Sequence, residues 1–294
     1  MQQNKYYDNK NDRPLNQDLD GCALVDWEKV YGKALFARHP KGFKIFLSPD
    51  KLAASDEYAV ADPYEVKENI DSEFHARRYE VTIELLREAV GSRQGAIQIL
   101  DLGCGQGHIT EKMRLAIQGA ECTGLDYSVS AIEYAHDNFP QIDFAVADAY
   151  ESPYATKFFD VVVCNNLWEH VPDPLVLLSK IKQLLKPDGY LIVSTPSLYR
   201  LGNLARVLRG KPVVFMSKHH VTEYTVGQVI EQLAYGGFRV MSAKSRPTSA
   251  TSAQAKIARW ALERLLTMAG SHHQLESTVF YLAQREPGTA IKAN

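Results

Sequence analysis

Between residues 70 and 241 the chain alternates short apolar runs, three of which stop at a glycine or an aspartate, with stretches that set apolar residues one helical turn apart. Runs with no polar face must be covered on both sides, and helices placed between parallel strands supply that cover. The pattern predicts an α/β fold, doubly wound and Rossmann-like, with a mostly parallel sheet. Its strands are expected at 96–102, 122–125, 142–147, 158–164 and 190–194, with two more at 238–242 and 278–283.

Helix signals fall between these runs. Residues 71–90 set Phe74, Tyr79, Ile83, Leu85 and Leu86 among charges at near-helical spacing, and Ile109, Met113 and Ala116 share one face of the next helix. Ser130 with Glu133, and Thr225 with Gln228, have capping-box spacing. Asp173-Pro174 reads as an N-cap and first helical residue, ahead of a stripe of Leu175, Leu178, Ile181 and Leu185. Pro187-Asp188-Gly189 reads as a turn, and Gly236-Gly237 closes the helix that holds Val229, Ile230 and Leu233.

The repeating region defines a domain over 70–285, with an N-terminal extension at 1–69 and a tail at 286–294. Polar residues 1–20 are expected to be disordered, because they cannot bury enough apolar surface. The aromatics Trp27, Tyr31, Phe36, Phe43, Phe46, Tyr58 and Tyr64 predict that the rest of the extension packs on the domain. Two insertions, 196–223 and 243–276, exceed ordinary connections and read as helical lids. The first places Tyr199, Arg200, Arg206, Arg209, Lys211 and Lys218 beside Leu201, Leu204, Val207 and Leu208. That is a basic amphipathic helix, read either as a solvated face or as a cap for an acidic substrate group. The second aligns Ile257, Trp260, Ala261, Leu265 and Met268 with Lys256, Arg259 and Arg264. Core or interface packing is the favoured use of that stripe, with pocket closure, a homodimer contact or a membrane surface as alternatives.

A net charge of -2 argues against nucleic acid as the main partner. No window approaches the roughly 18 apolar residues of a membrane span, and residues 1–20 lack the apolar core of a signal peptide, so a cytoplasmic location is expected. Cys22, Cys104, Cys122 and Cys164 lack the short paired spacing of zinc sites and read as reduced thiols.

Ligands of such sheets bind at the carboxyl ends of the strands. The first run ends in Ile99-Leu-Asp-Leu-Gly-Cys-Gly-Gln-Gly107, a G-x-G-x-G turn with Asp101 two places ahead of it. A dinucleotide site would use G-x-G-x-x-G to hold a pyrophosphate, and a carboxylate at Asp101 would repel one. It suits a ligand carrying an ammonium group. Asp126 ends the second run, where it could accept from both ribose hydroxyls, and Asp148 ends the third, where it could accept from an adenine amino group.

With these residues the chain resembles the class I S-adenosylmethionine-dependent methyltransferases over 71–283. Matching motifs are the glycine turn, Gly124-Leu-Asp126, Ala147-Asp148-Ala149, Phe159-Asp-Val-Val-Val-Cys-Asn-Asn-Leu-Trp-Glu-His-Val171 and Leu185-Lys-Pro-Asp-Gly-Tyr-Leu-Ile-Val193. The resemblance implies that Gly103, Cys104, Gly105 and Gly107 carry the methionine moiety and that Asp126, with Tyr127 beside it, holds the ribose. Asp148 with Ala149 would take the adenine edge, Asn165 would supply a backbone contact, and an arginine of the helix at 71–90, Arg78 or Arg77, would hold the cofactor carboxylate. It further implies seven strands, the last one antiparallel and filled by 278–283.

Methyl transfer needs alignment of donor and acceptor and exclusion of water, and it needs a base only where the acceptor must lose a proton. His170 is the candidate base, oriented by Glu169 or another carboxylate, unless it only packs or caps a helix; His219 and His220 are further candidates. Glu169-His170-Val171 is similar to the ubiquinone-biosynthesis O-methyltransferases. Some of those carry another Glu where this chain has Asn166, and loss of that anionic ligand predicts no metal. The expected activity is methylation of a small molecule, most simply on oxygen in secondary or cofactor metabolism, releasing S-adenosylhomocysteine. N-methylation of an amine or peptide, or a non-catalytic cofactor-binding module, are the alternatives. Asn165-Asn166-Leu167 departs from the Asn-Pro-Pro-aromatic signature used on exocyclic base nitrogens.

Overall fold

The computed structural model describes residues 37–48, 50–52, 55, 73–91, 93, 95–245, 253–268 and 277–286. Expectations for residues 1–20, Cys22, Trp27, Tyr31, Phe36, Tyr58, Tyr64 and 287–294 lie outside the described residues.

One sheet organises the chain. Its strands are β1 (Ala37–Arg38), β2 (Lys44–Ile45), β3 (Ile97–Leu102), β4 (Ala120–Asp126), β5 (Asp143–Val146), β6 (Phe159–Asn165), β7 (Leu185–Pro196), β8 (Phe238–Ser245) and β9 (Thr278–Arg285). Their spatial order is β1-β2-β5-β4-β3-β6-β7-β9-β8. From β2 to β7 each neighbouring pair is parallel, while β9 runs antiparallel to both β7 and β8, as the resemblance implied. The seven expected strands are all present. Two short ones come from the N-terminal extension: β2 adds in parallel to β5, and β1 pairs antiparallel with β2.

The helices are α1 (Glu73–Val90), α2 (His108–Ala116), α3 (Val129–Asn138), α4 (Pro174–Leu184), α5 (Leu201–Val207), α6 (Val226–Tyr235) and α7 (Ala253–Met268). Because successive strand residues point to opposite faces, apolar clusters form on both sides of the sheet, and a further one joins Ile45, Phe144 and Val146 to Val129 and Ile132 of α3. Leu100, Val162 and Val193 pack with Leu178 of α4 and Leu233 of α6. Ile99, Val161, Val163 and Ile192 pack with Val81 and Leu85 of α1 and Met113 of α2. All seven residues of β6 are buried, which is why its sequence lacks alternation.

Local signals were followed unevenly. Asp173 caps α4 by accepting from Val176 N at 3.1 Å, and Thr225 and Gln228 form both bonds of their capping box. The Ser130–Glu133 box does not form. Helix α3 starts at Val129, directly after Asp126 turns the chain, so Ser128 is the N-cap and its Oγ accepts from Ala131 N at 3.3 Å. Nor is Pro187-Asp188-Gly189 a turn between elements: it lies within β7 as a bulge, the register stepping from Phe159 opposite Leu185 to Val161 opposite Tyr190. In the first insertion α5 is only seven residues long and is followed by Gly210 at φ 65°, so the longer amphipathic helix is not built. On α7, Ile257, Trp260, Leu265 and Met268 are exposed, so core packing does not account for that stripe.

Cys122 and Cys164 are buried free thiols and Cys104 is a partly buried one. Among the described residues no helix is long and apolar enough to cross a membrane.

Gly124 of β4 sets how closely β4, β5 and the glycine turn approach. A Cβ there would stand inside the contact distance of the Phe144 ring and 2.9 Å from Cys104 Sγ. Gly124→Ala should cost about 1–3 kcal/mol of unfolding free energy through overpacking. Urea denaturation checks this, and an unchanged midpoint would contradict the packing described.

Candidate functional site

The strand order reverses between β3 and β6, which opens a crevice at their carboxyl ends. A cavity of about 680 Å³ occupies it, within the range of small-molecule sites. Arg78, Asp101, Gly103, Cys104 and Gly105 line it from one side, and Asp126, Tyr127, Asp148, Ala149, Asn165 and His170 complete the set of predicted residues that reach it. Gly107 stands one step behind the wall as the N-cap of α2.

The glycine turn is held from below. Gly103 N and Cys104 N donate to Leu125 O at 2.7 and 3.1 Å, and Gly105 N donates to Asp126 Oδ2 at 2.8 Å. Gly103, Gly105 and Gly107 take φ of 79°, 54° and 78°, a conformation that favours glycine. At Gly107 a Cβ would also lie 2.7 Å from Phe144 Cζ.

Asp101 is buried, and its Oδ2 accepts from Thr110 Oγ1 at 2.6 Å. Burial pushes its pKa up to about 6, against the lowering influence of Thr110 and the Arg78 guanidinium. Asp126 also holds Ser128 N on Oδ1 at 2.9 Å. Asp148 lies just beyond β5 and caps a 3₁₀ turn over Ala149–Glu151 through Tyr150 N. Asn165 is buried, its Nδ2 donates to Thr82 Oγ1 at 3.1 Å, and its Oδ1 has no hydrogen-bond partner among the described residues.

His170 also lines the cavity. Its Nδ1 lies 3.2 Å from the His219 carbonyl oxygen, and its ring meets that of His220 edge-on, 4.9 Å between centroids. Burial, aided by His220, lowers the His170 pKa below that of a free imidazole. Glu169 does not orient it. The Glu169 carboxylate turns inward, where Oε1 accepts from Asn166 Nδ2 at 3.0 Å, and burial raises its pKa. The neighbouring backbone is fixed by Asn166 in the left-handed region at φ 52° and by the Glu169 carbonyl, which accepts from Val221 N. His219 itself is exposed and contributes only its carbonyl, whereas His220 sits behind His170 with Nδ1 2.8 Å from Glu223 Oε1.

Glu223 is the anchor of the first insertion. Fully buried at its side chain, it accepts from Arg200 Nη1 and Met216 N as well as facing His220. Arg200 is thus turned inward, Arg206 donates to Pro212 O, and none of the insertion's cations lines the cavity. The predicted cap for an acidic group is not assembled, because its most placed cation is neutralised within the insertion. Glu169, His170 and His220 bring one potential metal-ligand atom each within 4.8 Å of one another, the one such group among the described residues. Tyr150, His108, Leu167 and Pro172 also line the cavity and carried no sequence signal beyond their place next to predicted residues.

Residues 74–243, over half of the chain, match the family described as "Methyltransferase domain". The ubiquinone biosynthesis O-methyltransferase of Actinobacillus pleuropneumoniae is 39% identical over 107 residues, 33% of this chain and 45% of that protein. The malonyl-acyl-carrier-protein O-methyltransferase of Hahella chejuensis is 32% identical over 182 residues, 58% of this chain and 63% of that protein. The chain thus spans about half of the first relative and less than two thirds of the second. Among solved structures, the cyclase SpnF has a TM-score of 0.56 at 18% identity, covering 82% of this chain and 98% of its own. A SAM-dependent methyltransferase from Archaeoglobus fulgidus has a TM-score of 0.51 at 20% identity, covering 76% and 100%. These two likenesses show the fold alone. With the glycine turn, the strand-end carboxylates and the match over 74–243, the chain belongs to the class I S-adenosylmethionine-dependent methyltransferase family.

Proposed function

We propose that the protein methylates a hydroxyl of a small molecule from S-adenosylmethionine, releasing S-adenosylhomocysteine, in the cytoplasm. The observation that carries this is the convergence of Asp101, Asp126 and Asp148 with the positive-φ glycine turn on one cavity that His170 also lines.

The residues present fit the cofactor on two grounds of their own. Asp101 is a buried carboxyl and Asn165 Oδ1 an unpartnered buried acceptor lining the same cavity, and both suit a cationic amino group. Asp126 takes the Gly105 and Ser128 backbone N–H groups on its two oxygens, which fixes the orientation of the carboxylate we assign to vicinal hydroxyls. When bound, the cofactor supplies an electrophilic methyl group on a sulfonium; the protein supplies alignment and a dry, shaped wall. At His170 the His219 carbonyl can only accept, so Nδ1 carries the proton and Nε2 is left as the basic nitrogen. The lowered pKa keeps that imidazole neutral near pH 7, ready to take the acceptor's hydroxyl proton. Glu223 and His220 back the ring from behind.

We read the site as working without a metal. An amide, Asn166, stands where another carboxylate ligand would be needed, and its Nδ2 holds Glu169 Oε1. A reading on oxygen is also supported by the two relatives' own names, both O-methyltransferases.

His170→Ala should lower kcat by about 10²-fold or more, with cofactor affinity unchanged, when turnover is followed in the presence of a chelator. A rate within about threefold of wild type would remove the base from the account, and a wild-type enzyme silenced by the chelator would reinstate a metal. Asp101 gives a second test. An amino group binds its ionised form, so affinity is full above a pH of about 6 and is lost as pH falls through that value. Calorimetric titration with S-adenosylhomocysteine should show about a tenfold loss per pH unit below the midpoint. A flat profile would contradict the assignment of Asp101.

A further inference from the structure

We propose that Lys51, in the N-terminal extension and ahead of the family match, is a positioning residue for the adenosyl half of the cofactor site. The inference rests on reading Asp148 and Tyr127 as cofactor contacts. Lys51 does not line the cavity; it stands behind a residue that does. Its Nζ lies 2.7 Å from Asp148 Oδ2 and 2.8 Å from Glu151 Oε2. Both carboxylates belong to one 3₁₀ turn, so without the ammonium between them two like charges would press the turn open. With Tyr150 N on Oδ1 and Lys51 on Oδ2, the Asp148 carboxylate has one orientation, and its remaining lone pairs serve a donor in the cavity such as an exocyclic amino group.

The same short segment grips the ribose side. Tyr127 OH donates to the Lys51 carbonyl at 2.8 Å, and Ser55 Oγ donates to the Tyr127 carbonyl at 2.6 Å. Residues 51 and 55 therefore hold Tyr127 at both ends while Lys51 holds Asp148.

What makes this segment a fixed support is its attachment to the sheet. β2 lies in register with β5, with Lys44 opposite Ala145 and Ile45 opposite Val146, and Phe46 N donates to Val146 O at 2.7 Å. Phe46, Leu47 and Leu52 are buried against that edge, and Leu52 N closes back onto Ser48 O at 2.8 Å. The extra edge strand carries a cation to the back of the adenine-side turn. Because Lys51 is partly exposed, its ion pairs add little to folding stability; their effect is on the direction of a carboxylate.

The test uses the full chain with Lys51→Met, which keeps the aliphatic stem, and Lys51→Arg. Lys51→Met should weaken S-adenosylhomocysteine binding about fivefold and raise KM for S-adenosylmethionine alike, with kcat within about twofold; Lys51→Arg should restore both. If Lys51 acts through Asp148, adding Lys51→Met to Asp148→Asn should cost nothing further. Wild-type affinity in Lys51→Met, or a full additional loss in the double variant, would overturn the proposal. Absence of cofactor binding by the wild-type protein would instead bring down the adenosyl reading of the site, and the proposal with it.

Discussion

Everything at the carboxyl edge of the sheet is referred to the Asp126 carboxylate. One oxygen takes Gly105 N–H and the other takes Ser128 N–H, so a single side chain at the end of β4 ties the glycine turn after β3 to the start of α3. Backbone N–H groups aimed at a carboxylate bond more strongly than at a neutral oxygen, and this one is nearly sealed from water. The turn is therefore shaped by two strands at once: Leu125 O holds Gly103 and Cys104 from the backbone, and Asp126 holds Gly105 from a side chain. Phe144 of β5 presses the same place from the neighbouring strand, which leaves no room for a side chain at Gly107 or Gly124.

Features decided by local chemistry or by burial on both faces were legible in the sequence. The run through Val161, Val162 and Val163 could only be an inner strand, and Asp173-Pro174 and Thr225 with Gln228 announce helix starts through bonds three residues long. Strand-end carboxylates were legible because their spacing follows the repeat itself. Failures came where a competing partner sat elsewhere. Ser130 lost the cap to Ser128 because Asp126 ends the strand so abruptly, and β1 and β2, two residues each, carry no period to read. Arg200 reads as an outward cation until its partner Glu223 is known, twenty-three residues on. A signal did exist there: Glu223 is the lone acid in 196–223. Glu169 beside His170 invited a carboxylate–imidazole pair, but Asn166 bonds the Glu169 carboxylate and a backbone carbonyl from the insertion bonds the His170 ring.

Additions to the shared fold lie at its margins and both bear on the site. β1 and β2 extend the sheet beside β5, and the first insertion places the His219 carbonyl and His220, held by Glu223, against His170. The fold alone does not name a reaction, as the likeness to a cyclase makes plain. The residues around one cavity carry the chemistry, and the insertion backs the His170 ring from outside that cavity.

The central claim is that the glycine turn and its three carboxylates form one adenosyl-cation site. A crystal structure with S-adenosylhomocysteine tests it most directly. The account places the ligand's amino group within hydrogen-bonding distance of Asp101, its ribose hydroxyls on Asp126 and its adenine against Asp148 and Ala149. A ligand seated elsewhere, or with Asp101 and Asp126 both untouched, would contradict it.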